Sequence, residues 1–163
     1  GFAGMTVALI PYQAAGMTAD KGTEMTLTKA AKTAGKPLSE LEGLEFQMKM
    51  LDRIPEAAHR KGLEETLIRF DELPKLIDSM RVNWNSGNAE GFAKLMNEMQ
   101  ASSPESYKVM MSDRNKAWAE WIDQRLDKPG TVFVAVGTAH LAGADSVQAF
   151  LGQRGITSAR VAD

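Results

Sequence analysis

Thr131-Val132-Phe133-Val134-Ala135-Val136-Gly137-Thr138-Ala139-His140-Leu141 is the stretch on which the fold turns. A run of β-branched, aromatic and small apolar residues stands between Pro129-Gly130 and Gly137, and reads as a strand buried on both faces. Gly137 permits a sharp structural turn at the strand's carboxyl end, and His140, one of only two histidines, follows just beyond it. In open α/β sheets that edge is where ligands bind. Imidazole titrates near neutrality and is a common metal ligand, so the position suits chemistry. The plainer alternative is a histidine that only hydrogen-bonds a loop carbonyl, and spacing alone leaves both open.

Downstream, a helix from about Asp145 to Arg154 is followed by Gly155 and a second strand, Ile156 to Val161. This βαβ-like unit of short period favours a parallel pair with a right-handed crossover. A two-stranded sheet rarely stands alone, so further strands are expected from outside the chain or from a partner. Upstream the patterns are helical. Met5 to Gln13 reads as a helix disturbed by Pro11, and Thr23 caps a helix through Ala34 with Gly35 as its stop. Glu40-Leu41-Glu42 follows as a short extended connection or strand, and Leu44 to Leu51 is helical again.

Pro55 and Pro74 suit first helical turns, Asn88 and Ser103 suit caps, and Asp113 to Leu126 is amphipathic. The expected fold class is therefore α/β, leaning to α+β. It would be a single helix-rich domain over residues 1–163 with a small mixed sheet and the C-terminal βαβ unit.

At 163 residues, with 44% hydrophobic and 25% charged side chains, the chain is long enough to bury one core. Nineteen basic residues (Lys+Arg 19) are interspersed with the acids (Asp+Glu 21) for a net charge of −2, which argues against a nucleic-acid footprint. No apolar stretch approaches the ~18 residues of a membrane span. The absence of cysteine excludes disulfides, thiolate metal sites and cysteine nucleophiles. The chain opens Gly-Phe-Ala-Gly, without a signal-peptide pattern, consistent with a start inside a longer protein.

Three further places are candidates for chemistry. Glu42 ends an extended segment between Leu41 and Gly43, where a solvated loop carboxylate is the ordinary alternative. Arg114-Asn115 opens the helix bearing Trp118. An arginine there opposes the helix dipole, so it is either held by a carboxylate such as Asp113 or reserved for an anion. His59 lies on a basic helical face and reads as a surface residue. Trp84 and Trp118 read as core, Trp121 less so. No zinc-protease, nucleophile-elbow, phosphate-loop or dinucleotide motif is present.

The order Thr23-Glu24, Leu27, Ala30-Ala31, Gly35-Lys36-Pro37-Leu38-Ser39-Glu40-Leu41-Glu42 and Gln47 resembles the C-terminal portion of the TraB/GumN family, which is related to the TIKI proteases. Trp84 to Gly87 is similar to its Trp-x-x-Gly turn, and Arg114-Asn115 with Trp118-Ala119 to its Arg-Asn helix. The run Phe133 to Gly137, His140-Leu141, Gly143, Leu151 to Gly155 and Arg160-Val161 is similar to its closing signature. The resemblance covers roughly residues 23 to 161, and the shared order of short motifs makes it specific.

It implies an erythromycin-esterase/ChaN-like mixed sheet flanked by helices, and metal-assisted hydrolysis of an unknown, peptide-like substrate. By position, His140 and Glu42 would be metal ligands for Zn, Co or Mn, with Glu42, Arg114, Asn115 and His140 forming the catalytic group. Family members carry two Gly-x-x-His motifs, and nothing here matches the first. An N-terminal strand segment is therefore expected to be missing, leaving the chain a weak metal binder with little turnover. The alternative is a non-catalytic module that binds an anionic ligand or peptide near His140 and Arg114. The resemblance also implies a bacterial, periplasmic or exported protein, and exposed strand edges would favour a homodimer.

Overall fold

Tyr107, Met111, Asn115 and Ala119 are spaced four residues apart, and all four are buried (3%, 7%, 1% and 0% exposed). In an α-helix each step of four overshoots a full turn by about 40°, so three steps would carry the last residue about 120° around the axis. The computed structural model, which describes residues 2–161, resolves the conflict with a widened π turn at Lys108–Ser112. This turn joins a short helix, Pro104–Tyr107, to a longer one, Asp113–Leu126, through backbone that stays right-handed helical at Lys108, Ser112 and Asp113. One extra residue in such a turn returns about 100°, which realigns the four positions on one face.

Numbered in order, the α-helices are α1 (Phe2–Ala14), α2 (Thr23–Thr33), α3 (Leu44–Asp52), α4 (Glu56–Ile68), α5 (Leu73–Asn85), α6 (Ala89–Ser102), α7 (Pro104–Tyr107), α8 (Asp113–Leu126) and α9 (Val147–Gln153). They fall into two compact units that divide within α5, residues 1–79 and 80–163. In the first unit α1 packs on α4. Among the described residues of this unit, Pro11, Met50, Ile54 and Ile77 are the buried apolar side chains. Gly35, with φ +64°, closes α2 in the left-handed conformation that glycine adopts at little cost.

In the second unit α8 packs along α9, and α6 packs against α7 and the short 3-10 turn Thr138–Leu141. Met96, Tyr107 and Met111 form a core cluster, with Leu95, Met99, Met110 and Ala139 around it. The helix starts have local causes. The Asn88 side chain accepts from the Gly91 N–H at 3.1 Å to begin α6, and Ser146 accepts from the Ala149 N–H at 3.2 Å to begin α9.

The expected sheet is not there. Among the described residues there is no strand, so the α/β assignment with its small mixed sheet and C-terminal βαβ unit is corrected to an all-helical architecture. Neither 131–136 nor 156–161 has regular structure, and Glu42 sits in a bend rather than at a strand end. The reason is that strand formation is not local. An apolar run becomes a strand only where a second backbone offers a ladder and a second surface covers its side chains. Phe133 and Val161 are instead 79% and 89% exposed. Of the expected βαβ unit only the helix is present, as α9.

Candidate functional site

The second unit places His140, Asn115, Arg114 and Trp118 together. The α8 helix carries Arg114 and Asn115 in its first turn and Trp118 in the next, and the 3-10 turn at 138–141 brings His140 against them. Gly137 precedes that turn and its carbonyl accepts from the His140 N–H at 2.9 Å. Its φ of −59° is open to any residue, so the turn does not depend on glycine's conformational freedom.

Asn115 is the organiser. Its Nδ2 donates to the Asp145 backbone carbonyl at 2.7 Å, which fixes the amide orientation because a carbonyl only accepts. Its Oδ1 therefore faces the His140 Nδ1 at 2.6 Å as an acceptor. The imidazole must then carry its proton on Nδ1, leaving Nε2 as the atom with a lone pair. The ring is held on a second side by Trp118, with centroids 4.6 Å apart and planes tilted by 52°. Burial, and then the nearby Arg114 cation, lower the His140 pKa to about 4, so this imidazole is neutral at physiological pH.

Arg114 does not stand at a helix start. It lies inside the helical stretch that runs from Pro104 to Leu126, so the dipole argument made for it from the sequence does not apply. Its Nη1 donates to the Met110 carbonyl, within the π turn, at 3.1 Å. Its guanidinium carbon lies 4.9 Å from the Trp118 ring centroid, a cation–π distance. The Trp118 indole N–H is buried without a partner among the described residues.

Sequence reading missed three residues on the same side. The Ser112 hydroxyl donates to the Asp145 carboxylate. The Tyr107 phenol is pushed above its ordinary pKa, first by burial and then by the Asp145 charge. The four-residue spacing of Tyr107, Met111, Asn115 and Ala119 was the signal that could have grouped Tyr107 with Asn115.

Glu42 belongs to the first unit, half-buried in the bend before α3. His59 is half-buried too, with Nε2 3.0 Å from the Leu51 carbonyl, rather than a plain surface residue. Trp118 is core at 6% exposure, whereas Trp84, read as core from the sequence, is 56% exposed, and Trp121 is 36% exposed. No three His, Asp or Glu side chains converge as a metal-binding group among the described residues. No helix of these residues is long and apolar enough to cross a membrane.

Residues 1–160 match the TraB/PrgY/gumN family, and the chain belongs to that family. It is 36% identical over 135 residues to "Uncharacterized protein YbaP" of Escherichia coli (strain K12), a match covering 80% of this chain and 48% of the relative. The protein of the same name from Shigella flexneri matches with the same identity and coverage. The chain thus spans about half the length of the curated relatives it matches. No solved structure matches it.

Proposed function

We propose that the protein is a metal-dependent hydrolase in which His140 is one metal ligand, bound through Nε2. The observation that carries this reading is the hydrogen bond from the His140 Nδ1 to the buried Asn115. A metal-binding histidine needs one nitrogen deprotonated and the ring held still, and a fixed acceptor on the opposite nitrogen provides both. The lowered pKa acts in the same direction, because no proton has to be displaced at neutral pH.

His140 is one donor suited to a metal, and the described residues bring no group of three ligands to it. A divalent ion held there would supply an activated water for attack on a peptide-like substrate. Arg114, already poised over Trp118, would hold the negative charge that develops on the substrate oxygen. Trp118 packs against one side of the imidazole. Export to the periplasm, implied by the family resemblance, belongs to the same proposal.

Calorimetric titration of Zn, Co and Mn into the chain and into His140→Ala tests the reading. A weak isotherm with the chain, lost in the variant, is the expected result. Identical isotherms remove His140 from the metal site and leave the non-catalytic binding module as the better reading.

A further inference from the structure

A second concave surface of the same unit has no role in the reading above. It is a cleft of about 420 Å³ between the end of α5, the start of α6, the 3-10 turn, α9 and the segment at 158–160. That volume is within the ~300–1,000 Å³ range of small-molecule sites. Trp84 and the buried Phe92 give it an aromatic wall and floor. A tryptophan left 56% exposed beside a concavity is the kind of residue that recognition surfaces present.

The polar groups lining the cleft are specific in kind. Arg160 is the one charged side chain among the lining residues, and no carboxylate opposes it there. The guanidinium is positioned by one hydrogen bond, from Nη2 to the Gly87 carbonyl at 2.9 Å, which leaves its other N–H donors for a ligand. Gly87 has φ +62°, so the turn that presents this carbonyl is held in a conformation suited to glycine. On the α9 side, Gln148 turns its Nε2 toward the Leu141 carbonyl, and its Oε1 is shielded from solvent with no donor among the described residues. The cleft therefore offers a cation and an aromatic surface. An oxyanion and an apolar ring or chain are their complements.

We infer that this cleft binds the carboxyl-terminal residue of a peptide with an aromatic or large apolar side chain. The carboxylate pairs with Arg160, and the side chain lies on Trp84 and Phe92. A planar guanidinium matches a carboxylate in a two-point contact, which makes Arg160 the anchor. Thr138 and Leu141 of the cleft flank His140 on its turn, so a peptide seated here extends alongside that residue. The inference rests on the hydrolase reading only for what becomes of the peptide after binding.

The test is a titration of the chain with N-acetyl-alanyl-phenylalanine and with its carboxamide, followed by tryptophan fluorescence and calorimetry in EDTA. Metal is excluded, so failure of the metal proposal leaves this result untouched. The free carboxylate should bind at least about tenfold more tightly than the amide, as loss of a charge-assisted pair predicts. Arg160→Gln should abolish that preference with an unchanged unfolding midpoint, and Trp84→Ala should weaken both ligands. No binding of the free acid, or equal affinity for acid and amide, overturns the inference. An acid preference that persists in Arg160→Gln overturns it as well.

Discussion

Replacing Asn115 by alanine removes a side chain that bonds both the 138–141 turn and the residue before the α9 cap to α8. Two partners on half-buried residues are stranded at once, the Asp145 carbonyl at 2.7 Å and the His140 Nδ1–H at 2.6 Å. Leaving a buried polar group unsatisfied costs roughly 1–3 kcal/mol, so the pair sets a loss of about 3 kcal/mol for a site with 1% exposure. With an urea m-value of about 1–3 kcal/mol/M, the midpoint should fall by roughly 1.5 M. Urea unfolding followed by far-UV circular dichroism measures this directly. Asn115→Leu fills the volume without restoring either bond, so it should lose nearly as much as alanine. A loss below about 1 kcal/mol for alanine, or native stability in the leucine variant, would refute the view that polar satisfaction organises this site.

Two further outcomes follow from the same geometry. His140 has a folded pKa of about 4 against an ordinary 6.5, so the unfolded chain takes up a proton that the folded chain refuses. The stabilisation is complete above about pH 6.5 and is lost as pH falls toward 4. Unfolding in EDTA at pH 7 and pH 4 should show this fall in the parent and not in His140→Gln, and equal pH dependence in both would count against it. Asn88→Ala removes the acceptor for the Gly91 N–H and the bond from Asn88 Nδ2 to Asn83 Oδ1 at 2.9 Å, and should cost about 1 kcal/mol in thermal or urea unfolding.

The helices were legible where their signals are local. Asn88 caps α6 as its side chain allows, Pro104 occupies the first turn of α7, and Gly35 ends α2. The run at 131–136 misled because its composition describes a preference for covered, paired backbone, and the cover and the pairing are properties of other segments. The π turn was hidden from a 3.6-residue template, which makes the spacing of Tyr107, Met111, Asn115 and Ala119 look like drift. His140, Arg114 and Asn115 were singled out, but not for the reason that unites them. Twenty-five positions separate Asn115 from His140, and only the packing of the 3-10 turn on α8 joins them. Trp84 carries the apolar spacing of a core residue and lines an open cleft instead, because it lies on the last turn of its helix, just before the chain reverses at Gly87.

The widened turn at Lys108–Ser112 also decides which kinds of genetic change this region tolerates. Amino-acid replacements at the exposed Lys108 leave the phase between Tyr107 and Asn115 alone. Loss of a single codon anywhere in the five would swing everything upstream by about 100° about the axis, taking the Tyr107 phenol off the core it shares with Met96. The count of residues, more than their identity, is what keeps α7 and α8 in step.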